Sequence, residues 1–250
     1  MPVRYEVIGV ESLPEIRPGD DLGQLLAEAA HRQGTPLQPG DLLIVCQKIV
    51  SKAEGRLVRM EDVVPSPRAE EIAGQLAKDP RLVEIILRET RQIIRMDKGI
   101  LVVETRHGLV CANAGVDRSN VDADTACLLP EDPDRSAEVL RAGLARHAGH
   151  DVPVIITDTF GRPWREGLAN VAIGVAGVQP LRSYLGERDP AGNVLQATVI
   201  ALADELAAAA EPVMGKLSRI PAALIRGLDW QAGAGSAREL LRDPTRDIFR

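Results

Sequence analysis

Three short strand-like runs that follow one another closely constrain the fold of this chain most. They cover residues 91–96, 100–104 and 109–112, and the short turns between them each contain a glycine. Parallel strands need connections of about a dozen residues or more, so this spacing predicts an antiparallel meander. Helical periodicity at 22–29 and 66–89 adds helices to these strands. The pattern therefore predicts a mixed α+β protein rather than a regular parallel α/β protein.

The other predicted elements follow from apolar periodicity and from residues that start or end helices. Strands are predicted at 5–10, 41–50, 152–157 and 220–225, and helices at 22–33, 66–89 (in one or two pieces), 134–149, 195–210 and 236–242. Residues 170–178 are rich in Gly and Val, which allows either close backbone packing or a tight contact between subunits. No linker or strong repeat divides residues 1–250, so one domain is predicted, with two intimately packed subdomains as the alternative.

A dense group of polar side chains follows the last strand of the meander, within residues 108–122. Gly115 permits a sharp change of direction there. The polar residues that come next are Asp117, Arg118, Ser119, Asn120 and Asp122. A strand that delivers such groups into a turn is typical of a metal or phosphate site. An ordinary polar turn explains the same residues equally well.

A second apolar run, at 152–157, is also followed directly by an aspartate and a turn that contains glycine, with Asp158 and Gly161. Asp117 and Asp158 would then be carried to one site by different strands. Paired carboxylates of this kind commonly hold Mg²⁺ or Mn²⁺ beside a nucleotide phosphate. The simpler alternative is that Asp158 only caps a turn.

Two lysines mark the end of the predicted strand 41–50. The run is apolar through Cys46 and then presents Gln47 and Lys48, with Lys52 four residues later. Ligands collect at strand ends in many sheet proteins, so both ammonium groups are candidates for phosphate contacts. The alternative is that they are solvated side chains beside a strand.

Composition argues against several classes of partner. The formal net charge is −6, and the chain has two Trp, two Tyr and two Phe, which disfavours both a duplex-binding surface and a stacking platform for single strands. No apolar run approaches the roughly 20 residues that cross a bilayer, and the N-terminus lacks a secretion signal, so no membrane partner and a cytoplasmic location are expected. Cys46, Cys111 and Cys127 lack CxxC spacing, and the first two are expected to be small core residues.

Several common site motifs are missing from the sequence. It contains no GxxxxGK[ST] phosphate loop, no GxGxxG after a strand, no HExxH and no GxSxG. His147 and His150 lie near a predicted helix end, where a solvated terminus is a better explanation than a metal site. Any nucleotide site must therefore use another arrangement.

Four motifs in a fixed order resemble a known family. They are Leu13-Pro14-Glu15-Ile16, the run from Gln47 to Gly55, the run from Ala114 to Asn120, and the run from Thr157 to Arg165. Together they resemble the coenzyme F420:L-glutamate ligase family from Leu13 to about Gly227. The resemblance implies an α+β fold of two packed subdomains in an intertwined homodimer. It also implies a GTP-dependent ligase that adds L-glutamate to coenzyme F420-0 through γ-linked amide bonds, with Mg²⁺ or Mn²⁺ and with K⁺ assisting.

The resemblance also implies a role for individual residues. GTP would contact Leu13, Pro14, Glu15, Ile16, Gln47, Lys48, Lys52 and Asn120, with Lys48 and Lys52 as the catalytic candidates. Asp117 and Asp158 would hold the first metal, and Thr159 would support a second. The segment closing over the nucleotide would be Met214, Gly215, Lys216, Leu217, Ser218, Arg219, Ile220 and Pro221.

One position departs from the family's pattern. Many relatives have an acidic or amide side chain after the glycine that corresponds to Gly215, where it helps hold the second metal, but this chain has Lys216. A protonated ammonium has no lone pair for a cation, so either the second metal site is incomplete or Lys216 contacts phosphate. Two alternative functions remain open, namely the same chemistry on another carboxylated cofactor, or a non-catalytic nucleotide-binding regulatory protein.

Overall fold

The structure is a computed structural model, and it describes residues 4–247. Its strands and helices, in chain order, are β1 (Glu6–Gly9), α1 (Leu22–Arg32), β2 (Leu42–Cys46), α2 (Gln47–Ala53), β3 (Leu57–Arg59), α3 (Pro67–Leu76), α4 (Pro80–Arg88), β4 (Thr90–Asp97), β5 (Ile100–Thr105), β6 (Val110–Ala112), β7 (Thr125–Cys127), α5 (Pro133–Ala148), β8 (Val154–Arg162), β9 (Arg165–Ala176), β10 (Arg182–Ser183), β11 (Val199–Ile200), α6 (Leu202–Met214) and β12 (Ala222–Arg226). Short 3-10 turns cover Met60–Asp62, Asn113–Gly115, Ala237–Leu240 and Pro244–Arg246.

A five-stranded sheet forms the centre of the molecule, in the order β1-β12-β2-β8-β9. Strands β2 and β8 run parallel, and the other neighbouring pairs are antiparallel. Alternate side chains of these strands pack on opposite faces, as the strand period of two requires. One face is covered by α1 and α5, and the other by α6. Both faces are buried, which explains why β2 and β8 are apolar runs rather than alternating ones.

The predicted meander is confirmed as a separate three-stranded sheet in the order β4-β5-β6. Helices α3 and α4 pack on it around a second group of buried side chains. Pro80 begins α4, so the predicted helix 66–89 is indeed broken into two pieces. Together with the central sheet, this arrangement confirms the mixed α+β prediction. The homodimer and the number of domains stay predictions.

The predicted helix 236–242 is only a 3-10 turn at Ala237–Leu240, and three predicted boundaries were also wrong. Strand β2 ends at Cys46, and Gln47 begins a helix, because the apolar run continues on the buried side of α2 through Ile49 and Val50. Helix α6 begins at Leu202 rather than 195. Strand β8 continues through Asp158 to Arg162 and pairs with β9, so Asp158 lies within a β-hairpin and not in a turn.

Close backbone packing at the Gly- and Val-rich segment is confirmed at Gly174 of β9. A Cβ atom at this position would lie 2.3 Å from the carbonyl oxygen of Pro133, at the start of α5. Only glycine allows that approach. Among residues 4–247, no helix is long and apolar enough to cross a membrane.

Candidate active site

The candidate site lies where the pairing between the two parallel strands β2 and β8 of the central sheet ends. Cys46 of β2 is paired with Thr157 of β8 in the register. Lys48 lies in the first turn of α2, just after β2, and Asp158 lies within β8, one residue beyond Thr157, so both residues follow the last register pair of β2 and β8. The charges of Lys48 and Asp117 both act on the carboxyl group of Asp158, so these three groups lie within electrostatic range of one another.

The turn that follows β6 holds Asp117 in place. Gly115 has a φ of +70°, and a Cβ atom there would lie 2.8 Å from the side chain of Leu129, so this sharp turn requires glycine. The backbone of Asp117 then forms an antiparallel bridge with Cys127. Ser119 donates to the Asp117 carboxylate from its backbone N–H at 2.8 Å and from its hydroxyl at 2.6 Å.

Lys48 joins this turn to helix α2. Its ammonium contacts the Asp117 carboxylate and donates to the backbone oxygen of Ser119 at 2.9 Å. The side chain of Lys48 is only 14% exposed, so the contact is partly shielded from solvent. Burial alone would raise the pKa of Asp117, but the hydrogen bonds from Lys48 and Ser119 outweigh it and hold this pKa below its ordinary value.

The pKa of Asp158 is shifted in the opposite direction from that of Asp117. Burial raises its pKa to about 6 from an ordinary value of 3.8, and the negative charge of Asp117 adds to the effect. The backbone N–H of Thr159 and the charges of Lys48 and Lys216 oppose it without cancelling it. An ionised Asp158 is thus short of positive charge, and a cation at this edge of the sheet would relieve that deficit.

A second lysine contact links α2 to the loop before α1. The ammonium of Lys52 contacts the carboxylate of Glu15, whose side chain is exposed, whereas Lys52 itself is buried. Ile16 anchors the same loop in the core. Within α2, the buried hydroxyl of Ser51 donates to the side-chain oxygen of Gln47 at 2.8 Å. The loop 13–16 is therefore adjacent to Lys52.

A polar network extends the site from the hairpin to the end of α6. The hydroxyl of Thr159 donates to Asn170 Oδ1 at 2.7 Å, across the β8–β9 pair. Asn170 Nδ2 donates to Glu211 Oε2 at 2.8 Å. Lys216 Nζ donates to the Thr159 hydroxyl at 2.5 Å and lies 3.4 Å from Glu211 Oε1, which closes the ring of contacts.

Comparison with known proteins identifies the family. The model of the F420-0:Gamma-glutamyl ligase family matches residues 11–227, which include every motif described above. This chain belongs to that family.

Relatives within the F420-0:Gamma-glutamyl ligase family match over nearly their whole length. The coenzyme F420:L-glutamate ligase of Methanothermobacter thermautotrophicus is 48% identical over 247 residues, which cover 98% of each chain. The protein of the same name from Methanopyrus kandleri is 47% identical over 253 residues, covering 99% of this chain and 98% of its own. The one from Archaeoglobus fulgidus is 42% identical over 249 residues, covering 99% and 97%.

The predicted site residues of this family member fall into two groups. Those on α2, the Asp117 turn and the β8–β9 hairpin are brought together. The segment 214–221 is mostly exposed between α6 and β12, and only Lys216 joins the network through its side chain as described above. Asn120 is exposed with a φ of +55°, three residues after Asp117. Their roles toward GTP and metal stay predictions.

The sequence did not point to Asn170 or Glu211. Asn170 is 4% exposed and is the cross-strand neighbour of Thr159, while Glu211 comes from the other side through α6. The available signal was weak, since Asn170 is a single amide at the start of a Gly- and Val-rich run. A buried amide in a strand usually has a dedicated partner, and this one has two.

The donor set fits a divalent cation that is shared with a phosphate. In the part of the chain that the structure describes, no three His, Cys, Asp or Glu side chains gather into a metal site of their own. Mg²⁺ typically uses one or two carboxylates together with substrate phosphates and water. Asp117 and Asp158 match that requirement, and they supply the hard oxygen ligands that Mg²⁺ and Mn²⁺ prefer.

Burial disfavours the thiolate form of the three thiols close to this site. Burial raises the pKa of Cys46 and of Cys127, and it raises the pKa of Cys111 to about 12. The charge of Asp158 adds to the effect at Cys46 and Cys111. Cys111 is buried and Cys46 is partly buried against the core, which agrees with their predicted role as small core residues, and Cys127 is also buried.

Proposed function

We propose that this protein is a GTP-dependent ligase that joins L-glutamate to coenzyme F420-0 through a γ-linked amide bond. The observation that carries the proposal is the convergence of Lys48, Asp117 and Asp158 at the edge of the central sheet, in a chain of this family. Two carboxylates beside a partly buried ammonium suit a site where a phosphoryl group is transferred.

The chemistry divides into two balanced steps. An oxygen of the F420-0 carboxylate attacks the γ-phosphorus of GTP, the bond to the bridging oxygen breaks, and GDP leaves. The product is an acyl phosphate. The amine of glutamate then attacks the acyl carbon, loses a proton and displaces inorganic phosphate. No side-chain nucleophile is required, which agrees with the protonated thiols near the site.

The protein itself binds and orients the substrates and supplies charge around the phosphates. Lys48 and Lys52 supply positive charge toward the phosphates, and the loop 13–16 and the 214–221 segment enclose the nucleotide. Asp117 and Asp158 would hold Mg²⁺ or Mn²⁺, which neutralises the charge of the phosphoryl group as it is transferred. The proposal also includes assistance by K⁺, a homodimer and a cytoplasmic location.

Two other functions compete with this one. The same ligase chemistry could act on a different carboxylated cofactor, because acceptor choice depends on pocket shape. A nucleotide-binding regulatory protein without catalysis would also keep the fold, and Lys216 is the residue that favours it. Phosphate release that needs both acceptor and glutamate separates a ligase from a binder, and a panel of carboxylated acceptors separates the two ligases.

The direct test is mass spectrometry of F420-0 after incubation with the protein, GTP, Mn²⁺ and glutamate. Mass steps of one glutamyl unit are expected, and their number counts the additions. Asp117→Asn and Asp158→Asn should each abolish the product, whereas Asp62→Asn, at an exposed aspartate of a 3-10 turn, should not. Normal glutamate addition by both site variants would overturn the proposed site, and no product from the wild type would overturn the proposed acceptor.

A further inference from the structure

Lys216 stands at a position where a second cation would otherwise be expected. Its ammonium lies 2.5 Å from the Thr159 hydroxyl and 3.4 Å from the Glu211 carboxylate. The positive charge of Lys216 also acts on Asp158, which directly precedes Thr159 in β8. An ammonium therefore already occupies the oxygen-lined space beside the carboxylates.

Thr159 is poorly suited to bind a metal ion in this arrangement. Its hydroxyl proton is donated to Asn170 Oδ1, and its oxygen accepts from the Lys216 ammonium. A divalent ion on this oxygen would lie next to a positive charge, and an ammonium has no lone pair with which to bind it. The residues present do not fit a second divalent cation.

The fold holds Lys216 in this place. Helix α6 ends at Met214, and the partial negative charge of its last carbonyl groups favours a cation just beyond them. Gly215 has a φ of +58°, which turns the chain sharply before Lys216. Glu211 lies on the last turn of the same helix and is itself fixed by Asn170.

We propose that Lys216 takes the place of a second divalent cation, so that each chain binds one divalent ion and the lysine supplies the other positive charge to the nucleotide phosphates. This inference rests on the proposed function, because it takes Asp117 and Asp158 as the site of the single ion. It makes Lys216 a catalytic residue in the sense that its ammonium touches the phosphate of GTP.

The test counts bound Mn²⁺ by electron paramagnetic resonance in the presence of a non-hydrolysable GTP analogue. Wild type should bind one Mn²⁺ per chain, and Lys216→Glu should bind two, because a carboxylate then faces Thr159. Lys98→Glu makes the same charge change in the exposed β4–β5 turn and should still bind one. Thermal denaturation of each variant checks that it is folded.

Other numbers of bound Mn²⁺ ions would contradict part or all of this proposal. Two Mn²⁺ ions in wild type, or one in a folded Lys216→Glu variant, would overturn the role given to Lys216 and leave the proposed function standing. No bound Mn²⁺ in wild type would overturn the carboxylate site of the proposed function as well. A second variant, Lys216→Met, should keep one Mn²⁺ while kcat falls at least about tenfold. An unchanged kcat would overturn the phosphate contact.

Discussion

The ammonium of Lys48 lies against the carboxylate of Asp117, 69 positions further along the chain, and joins the start of α2 to the turn after β6. In the proposed function this carboxylate also holds a divalent ion. If the ion and the nucleotide bind as proposed, Lys48 and the ion must share Asp117, or the lysine must turn toward phosphate. The ammonium of Lys48 is therefore held beside Asp117 before any ligand arrives.

Replacing Lys48 should separate metal binding from catalysis. In Lys48→Met the Asp117 carboxylate loses its competing partner, so Mn²⁺ affinity should be equal to that of the wild type or higher. Turnover should nevertheless fall about 100-fold or more, since the positive charge that Lys48 supplies to the phosphoryl group in the proposed mechanism is lost. Mn²⁺ titration and GTP-dependent phosphate release measure the two effects.

The control for this variant is Lys98→Met, which removes an exposed lysine from the β4–β5 turn and should change neither quantity. If Lys48→Met lost Mn²⁺ binding and turnover in equal measure, Lys48 would only be holding Asp117 in position. Unchanged turnover would remove Lys48 from the mechanism altogether.

The raised pKa of Asp158 predicts that metal binding depends on pH near neutrality. In the proposed site, protons and the cation compete for this carboxylate, because burial raises its pKa to about 6. Mn²⁺ affinity should be nearly constant above pH 7 and should fall roughly tenfold per unit below pH 6. Calorimetric titrations from pH 5 to pH 8 would check this, and affinity that is flat across that range would contradict it.

The same pKa makes a prediction about stability without metal. Because the folded pKa is raised from 3.8 to about 6, the folded state holds this proton more tightly. The stability it contributes is full below pH 4, is lost as the pH rises to about 6, and amounts to about 3 kcal/mol at most. Asp158→Asn should therefore melt at a higher temperature than metal-free wild type at pH 7.5, and the difference should shrink at pH 4.

Added Mn²⁺ supplies the control for the stability prediction. It should raise the melting temperature of wild type and leave that of Asp158→Asn nearly unchanged, since the variant lacks one of the two ligands. A variant that melted below metal-free wild type at pH 7.5 would show that the charge of Asp158 is well compensated in the folded protein.

Local sequence signals predicted which strands and helices are present better than they predicted where each one begins and ends. The meander was readable because turns that contain glycine divide runs of β-forming residues. The run 41–50 was misread because a buried strand and the buried side of a short helix both appear as apolar sequence. The change from strand to helix at Gln47 depends on how α2 packs, which periodicity over ten residues does not encode.

The sequence predicted only those residues of the candidate site that lie within recognisable motifs. Asp117, Asp158 and the two lysines each lie in a recognisable run, so the family resemblance could assign them together. Asn170 and Glu211 matter only because β9 and α6 bring them together, 41 positions apart in the chain. No spacing rule links a strand amide to a distant helix carboxylate. Contacts of this kind become visible only in three dimensions.

The thiols near the site should be inert at neutral pH. Burial raises the pKa of all three, that of Cys111 to about 12, so the reactive thiolate is scarce. Iodoacetamide at pH 7.5 should leave both the mass and the activity of the folded protein unchanged. Protein unfolded in urea is the control and should take up three labels, one for each cysteine. Rapid labelling of the folded protein with loss of turnover would show that a thiolate does take part.

Gly115 should be more sensitive to substitution than other glycines with the same backbone conformation. Alanine at a positive φ costs about 1 kcal/mol for the backbone alone. At Gly115 the new Cβ would also lie 2.8–2.9 Å from three carbon atoms of Leu129, and overpacking of this kind adds about 1–3 kcal/mol. Because Asp117 follows two residues later, Gly115→Ala should also weaken Mn²⁺ binding.

Gly149 offers a matched comparison, since it has a φ of +76° and a Cβ atom there would meet nothing within 4 Å. Gly149→Ala should lose only the backbone contribution and should bind Mn²⁺ like wild type. Urea denaturation gives the free energy of unfolding of both variants. The difference between the two values is the effect of the contact with Leu129. Equal losses would mean that Leu129 moves aside, and the turn would then tolerate a side chain while keeping Asp117 in place.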